Sequence, residues 1–240
     1  MILDGIKDLD QKIETDPDNG ELYYLRGQGY YIIGKGAMQD GKYDYALKTL
    51  SKAFPSYNWA NDGEEAWFKD HQDEIIDILY EIENYGELFF AHTDYRSAIK
   101  CYTLLIEKEY AQYLIGCGIS IFTDRGKAYL EKGETDLAIA DFNSALELEE
   151  SITLVPLYYR GLAYIRKGEY IKAATDFENA LKGDFNEISN YVEAGYKQIT
   201  QQVIKERLDE VKKEPLYLMG RGDWEAAEKL QKLGENHGIN

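Results

Sequence analysis

Arg125-Gly126-Lys127-Ala128-Tyr129-Leu130-Glu131-Lys132-Gly133-Glu134 returns 35 residues later as Arg160-Gly161-Leu162-Ala163-Tyr164-Ile165-Arg166-Lys167-Gly168-Glu169. The recurrence continues at the same offset, with Ala138, Asp141, Phe142, Ala145 and Leu146 reappearing as Ala173, Asp176, Phe177, Ala180 and Leu181. A fixed period of this length marks stacked supersecondary units, each too small to bury its apolar face alone. Each unit reads as two helices. The first ends in Lys-Gly-Glu, where Gly133 or Gly168 can take the left-handed conformation that stops a helix. The second places Ala138, Phe142 and Ala145 on one face. Gly126 and Ala138 let the paired helices approach closely, and Phe142 and Tyr129 fill the gap between neighbouring pairs.

Working outward, two weaker copies lie upstream. Gly86, Phe89, Ala98 and Tyr102 keep the internal spacing of Gly126, Tyr129, Ala138 and Phe142, with Leu105 where the strong copies have Ala. That copy begins 40 residues before the next, which leaves about five added residues near 107–119. The first copy has Arg26-Gly27 and Tyr30, then Ala46, Leu50 and Ala53, its halves seven residues further apart. Seven residues are close to two helical turns. Gly34-Lys35-Gly36 and Asp40-Gly41-Lys42 therefore imply either a longer turn or longer helices. Residues 2–14 read as a second-type helix without its partner, running into Asp16-Pro17-Asp18-Asn19. Residues 55–78 form an insert: a loop from Pro55, then a helical stretch from Gly63 that can continue into the next first helix. Residues 190–213 read as one long helix, the candidate cap that a solenoid end needs. Residues 216–233 read as a short helical hairpin around Gly220-Arg221-Gly222. The expected organisation is a repeat array over 1–188, with repeats at 16–54, 79–112, 119–152 and 154–187, then a capping helix and tail over 189–240.

The repeat residues resemble the tetratricopeptide repeat, whose unit is about 34 residues. The small residue of the first helix, the aromatic three residues later, and the Ala, aromatic and Ala of the second helix all correspond. The resemblance implies an all-α fold, a right-handed α-solenoid of helical hairpins closed by a C-terminal capping helix. It also implies a scaffold or adaptor that binds a protein segment in a groove lined by the first helices. Groove positions in the family fall two and three residues before each packing glycine, and one, four and five after it. Carried onto this chain they are Tyr24, Leu25, Gln28, Tyr31 and Ile32 in the first copy and Glu83, Asn84, Glu87, Phe90 and Ala91 in the second. The third contributes Thr123, Asp124, Lys127, Leu130 and Glu131, and the fourth Tyr158, Tyr159, Leu162, Ile165 and Arg166. Co-chaperones of the family grip acidic tails with Lys, Asn and Arg. Here the matching positions hold Tyr24, Gln28, Asn84, Lys127 and acids, which is an incomplete clamp. Tyrosines are instead the side chains that anchor protein partners. The expected partner is a protein or peptide carrying Lys or Arg beside apolar residues.

Composition narrows the remaining classes. Forty-four acids against 27 bases give a net charge of −17. Nucleic-acid binders set Lys and Arg against phosphate, so no nucleic-acid partner is expected, and anionic lipid would be repelled as well. No stretch approaches the roughly 18 apolar residues that span a bilayer, so no membrane partner is expected. The first residues carry acids where a secretory signal has a basic region, which points to a cytoplasmic protein. Cys101 and Cys117 are too few for a disulfide scaffold or a structural zinc site. His71, His92 and His237 stand in no metal spacing. Asp16-x-Asp18 and the segment 58–65 lack the Gly and Glu of a calcium loop. No catalytic residue, metal or cofactor is therefore expected. The strong acidity permits one alternative to a scaffold, a dedicated inhibitor or immunity-type protein that covers a basic enzyme.

Overall fold

The computed structural model describes residues 1–40, 65–107, 121–148, 153–183 and 199–224, with single positions between 42 and 52, at 185 and at 227–228. Regular structure among the described residues is α-helical throughout: α1 (Ile2–Thr15), α2 (Gly20–Gln39), α3 (Glu65–Ala91), α4 (Tyr95–Glu107), α5 (Ile121–Lys132), α6 (Thr135–Leu148), α7 (Leu154–Arg166), α8 (Tyr170–Ala180), α9 (Gln201–Lys212) and α10 (Pro215–Gly220). The chain divides into two compact units, Met1–Cys117 and Gly118–Asn240, taken separately below.

In the second unit α5–α6 and α7–α8 are the two strong hairpins. α6 packs on both α5 and α7, and α8 on both α7 and α9. This nearest-neighbour stacking is how a repeat buries its second face. The hairpins close at their glycines. A Cβ on Gly126 would lie 2.6 Å from the Phe142 ring, and one on Gly161 2.6 Å from the Phe177 ring. Both rings are 0% exposed. In the first unit α3 and α4 close in the same way, with a Cβ on Gly86 falling 2.5 Å from the ring of Tyr102. These glycines are required by distance, since each sits in ordinary helical backbone.

The turns between paired helices repeat at atomic detail. Gly133, Gly168 and Gly222 have φ of 87°, 72° and 84°, and Thr93 occupies the same place with φ 61°. Their N–H groups donate to Leu130, Ile165, Met219 and Phe90 at 2.9–3.0 Å. The next residues, Glu134, Glu169, Asp223 and Asp94, donate to Tyr129, Tyr164, Leu218 and Phe89, each at 2.9 Å. This pair of bonds is the Schellman motif, which satisfies the last carbonyls of the ending helix. Five residues after each turn stands a fully buried alanine: Ala98, Ala138, Ala173 or Ala227. The turn at Gly222 thus has the geometry of the repeat turns, although it lies in the segment read from sequence as cap and tail. Seven residues before it, where the repeats have their packing glycine, stands Pro215. Proline cannot continue a helix interior, so the preceding helix is split into α9 and α10.

A buried ion pair ties each strong hairpin together. Arg125 holds Asp141 with two bonds, 2.8 and 2.7 Å, and Arg160 holds Asp176 at the same distances. Burial pushes the Asp141 carboxyl up against the pull of Arg125. Loss of one partner from such a pair costs about 3–5 kcal/mol, because the other charge is left buried alone. In the α3–α4 hairpin the same two positions are Tyr85 and Cys101. There the pair is uncharged, with the thiol buried and pushed up to about 12 by that burial.

Three expectations are settled differently or more narrowly than sequence allowed. Gly34-Lys35-Gly36 lies inside α2, so the added residues of the first copy lengthen a helix and not a turn. Likewise α3 is one helix of 27 residues, which joins the second half of the insert to the next repeat. The long helix read over 190–213 begins only at Gln201: Thr200 is extended (φ −101°, ψ 160°), and its hydroxyl accepts from the Val203 N–H. Residues 55–64, 108–120 and 190–198 lie outside the described residues, and so does Cys117.

Two measurements test this packing. Phe142→Ala should cost about 3–5 kcal/mol in urea denaturation. Gly126→Ala should cost about 1–3 kcal/mol through overpacking, despite the roughly 1 kcal/mol that alanine brings to a helix. In the double variant the costs should be markedly less than additive, because the new methyl enters the space the ring has left. Strictly additive costs would mean that the two groups do not meet. Thr93→Gly should raise stability, since a β-branched residue held left-handed is strained by about 1–2 kcal/mol. Gly133→Thr should lower it.

Candidate protein-binding interface

The five groove positions of each first helix do not share one face. The position three before the glycine is buried in every copy: Tyr24, Glu83, Thr123 and Tyr158. The position five after it is exposed in every copy: Ile32, Ala91, Glu131 and Arg166. The reason is helical periodicity. Positions three before and four after are seven apart and point toward neighbouring helices. Positions two before, one after and five after are spaced i, i+3 and i+7 and form a second stripe beside the first. This second stripe is the more open of the two. It comprises Leu25, Gln28 and Ile32 on α2; Asn84, Glu87 and Ala91 on α3; Lys127 and Glu131 on α5; and Tyr159, Leu162 and Arg166 on α7. Asp124 belongs to it by register but is only 4% exposed, with Lys127 bonded to it at 2.9 Å.

In the second unit most of these side chains brace α5 to α7. The Lys127 ammonium lies 5.7 Å from the Tyr159 ring centre, a cation–π contact. Tyr159 stacks on Phe142 at 6.1 Å and meets Tyr158 edge-on at 5.3 Å. Arg166 pairs with Glu131 at 3.2 Å and donates to the Leu130 carbonyl. With both partners nearly half exposed, this ion pair contributes at most about 1 kcal/mol. Tyr158 packs on Phe177, 6.0 Å between ring centres. It also belongs to the core that holds Ile204, Leu208 and Val211 of α9, and Arg207 of α9 hydrogen-bonds it. Tyr158 therefore joins the C-terminal helix to the array.

In the first unit the cross-brace runs through Glu81, five residues before the packing glycine and outside the five groove positions. Equal registers would set Tyr31 level with Phe90. Tyr31 instead donates to Glu81, nine residues earlier, and Lys35 reaches the same carboxylate at 2.8 Å. Tyr85 adds a bond at 3.4 Å. Of these residues only Lys35 lies in the C-terminal extension of α2; Tyr31 and Glu81, counted from Gly27 and Gly86, lie within the repeat register, level with Leu130 and Ile121. Phe90 packs edge-on against Tyr95 at 5.3 Å, and the Tyr24 hydroxyl accepts from Gln28 at 2.8 Å. Burial, then the bond to Glu81, raises the Tyr31 hydroxyl above its usual range. Burial also pushes Glu81 up, but its bonds to Lys35 and Tyr31 outweigh that and hold it below the usual carboxylate value.

A depressed carboxylate contributes stability that is complete above its unfolded value, near 4.5, and is lost as pH falls through the folded value. The wild type should therefore lose stability on acidification below about pH 4.5 more steeply than Glu81→Gln. Equal slopes in melting temperature against pH between 5 and 3 would remove Glu81 from this role.

Among the described residues, no helix is long and apolar enough to cross a membrane. No curated protein matches the chain. Among solved structures, the TPR2AB domain of yeast Sti1 in its pHSP90 complex is similar at 16% identity, covering 88% of this chain and 79% of that one, with a TM-score of 0.44. The P58(IPK) TPR domain is similar at 17% identity, covering 99% of this chain and 66% of that one, with a TM-score of 0.44. Residues 119–152 match the family model of the tetratricopeptide repeat. That segment holds the α5–α6 hairpin, whose close glycine, buried aromatic and Schellman turn recur in α7–α8 and, with Thr93 in place of the turn glycine, in α3–α4; the chain therefore carries a tetratricopeptide repeat at 119–152.

Proposed function

We propose that this chain is a protein-interaction scaffold that takes hold of a partner segment along the open stripes of its first helices, above all those of α2 and α3. One observation carries the reading. Glu21, Leu25, Gln28 and Ile32 form a continuous stripe on α2, and Leu25 and Ile32 are 45% and 52% exposed. Two large aliphatic side chains seven residues apart and open to solvent do nothing for the fold. On α3 the stripe of Asn84, Glu87 and Ala91 is bordered by Leu88, which is 51% exposed. Such a surface fits an apolar peptide or helix face that inserts side chains at the same spacing.

The electrostatic part of the reading is long-range. Glu83 and Asp124 are buried and Glu131 is paired with Arg166, so these acids do not form a row of specific contacts for basic side chains. The net charge of −17 instead favours encounter with a basic partner, which raises the association rate more than the affinity. Salt should slow association, as screening shortens to about 8 Å at physiological ionic strength, and leave dissociation nearly unchanged.

The test is a footprint on the full-length chain. A photo-crosslinking amino acid placed at Leu25 or Ile32 should capture the native partner, and one at Leu137, equally exposed on the second helix α6, should not. With that partner in hand, Leu25→Asp with Ile32→Asp should leave helicity and melting unchanged and weaken binding by about tenfold or more, the loss of one to two apolar anchors. Capture from position 137 alone, or undiminished binding by the double variant, would refute the assignment.

A further inference from the structure

The hydrogen bonds of the turn after α2 count that helix from a different glycine. Lys42 donates to Ala37 at 2.9 Å, and the fully buried Ala46 donates to Lys42 at 2.9 Å. The same two bonds join Glu134 to Tyr129 and Ala138 to Glu134. Lys42 therefore stands where Glu134 stands, and Gly34, eight residues before it, stands where Gly126 does. Arg26-Gly27, which the sequence matches to Arg125-Gly126, lies one heptad earlier. There Arg26 meets Asp10 of α1 at 3.0 Å, as Arg160 meets Asn143 of α6 at 2.6 Å.

Two further observations agree. The Lys52 ammonium lies 5.5 Å from the ring centre of Tyr30. These residues stand eleven before and eleven after Gly41 in the sequence, as Arg125 and Asp141 stand eight either side of Gly133. Burial along 32–37 also repeats burial along 84–89 residue for residue: exposed, half-buried, buried, half-buried, exposed, buried. Counted from Gly34 and Gly86, Tyr31 is level with Glu83, two residues from the Glu81 it binds. The nine-residue offset of the sequence register disappears.

The level pairs change with the register. Ile32 lies beside Asn84, and Leu25, two turns earlier, beside Asp77 on the N-terminal part of α3; both Leu25 and Asp77 are exposed. After burial and the bond and charge of Glu81, the charges of Tyr85 and Asp77 also raise the Tyr31 hydroxyl, so Asp77 is near α2. We infer that the first repeat packs through Gly34, and that Asp77 is a specificity-determining residue of the binding face, receiving a Lys or Arg of the partner beside the apolar side chain seated on Leu25. The second part rests on the binding reading of α2 and α3 given above. An exposed aliphatic beside an exposed carboxylate selects a segment that carries both kinds of side chain within one helical turn, by burial of the first and charge pairing of the second. Residues 53–64 and 108–120 of the same unit hold a single Lys and no Arg between them, which favours a cation from another molecule.

Melting of full-length variants tests the register. Counted from Gly34, Ile33 opposes Thr49 as Arg125 opposes Asp141. Thr49 is buried, so Thr49→Asp alone should lower the melting temperature by about 10 °C, the effect of a lone buried carboxylate. Adding Ile33→Arg should recover most of that loss by building the clasp. If Thr49→Asp alone is tolerated, Arg26 is the residue opposite and Gly27 sets the register. If Ile33→Arg recovers nothing, the Gly34 register falls as well. Crosslinking tests Asp77. In the partner captured from Leu25, a crosslinker at position 77 should land within one turn of a Lys or Arg, next to the residue reached from position 25, and Asp77→Lys should weaken binding about tenfold. Binding unchanged by Asp77→Lys, or a crosslink from position 77 to this chain's own residues, overturns the assignment. Capture of no partner from Leu25 or Ile32 removes the binding face itself and the role of Asp77 with it, while the melting series still decides the register.

Discussion

The structure depends on how closely two helices can come together at one glycine. At Gly126, Gly161 and Gly86 the space of a missing Cβ is taken by an aromatic ring of the partner helix, at 2.5–2.6 Å from where that carbon would be. Everything else in a hairpin follows from this approach. It sets the spacing at which the Schellman turn can join the helices, and it brings the Arg before the glycine within bonding distance of the Asp before the ring. It also leaves the outer flank of the second helix free for the next first helix. A methyl group at the glycine would disturb all three at once, because a fully buried ring has nowhere to move.

The charged clasp beside that contact explains a substitution pattern that otherwise looks arbitrary. Arg and Asp appear together in the α5–α6 and α7–α8 hairpins, and Tyr85 and Cys101 appear together in α3–α4. A buried carboxylate requires its guanidinium, but the reverse does not hold: in the first copy, as the sequence registers it, Arg26 stands with Thr49 in the Asp position and bonds Asp10 of α1 instead. On the other side, α1 supplies the Asn143-like contact to Arg26 through Asp10.

The binding face shows where a repeat register stops being informative. A register numbers positions along one helix, and it treated five of them as equivalent lining. Burial separates them into two stripes. Tyr24, Glu83, Thr123 and Tyr158 turn inward, while Ile32, Ala91, Glu131 and Arg166 turn outward. The tyrosines that seemed best suited to grip a partner are largely the ones that grip the protein itself: Tyr158 meets Phe177 and the α9 core, and Tyr31 binds Glu81. The aliphatic residues Leu25 and Ile32 are left as the open apolar surface.

The sequence by itself determined the local and periodic features. A 35-residue recurrence, glycines at helix ends and alanines at helical spacing specify paired helices and their turns, because these depend on interactions a few residues apart or on one contact repeated identically. The helix pairs, the left-handed turn glycines and the buried Phe142 and Phe177 were all legible in this way. The Arg–Asp clasp was visible too, as a co-recurrence sixteen residues apart, although its meaning needed the bond. Only the tertiary structure decided where the register breaks. The packing of α2 on α3 sets Tyr31 against Glu81 and not Phe90, and Pro215 splits α9 from α10 at the position of a packing glycine. Thr200 starts α9 at a point that composition would have placed inside a longer helix. Each is a matter of which side chains meet across helices of unequal length, and no periodicity along one chain encodes the offset between two neighbours.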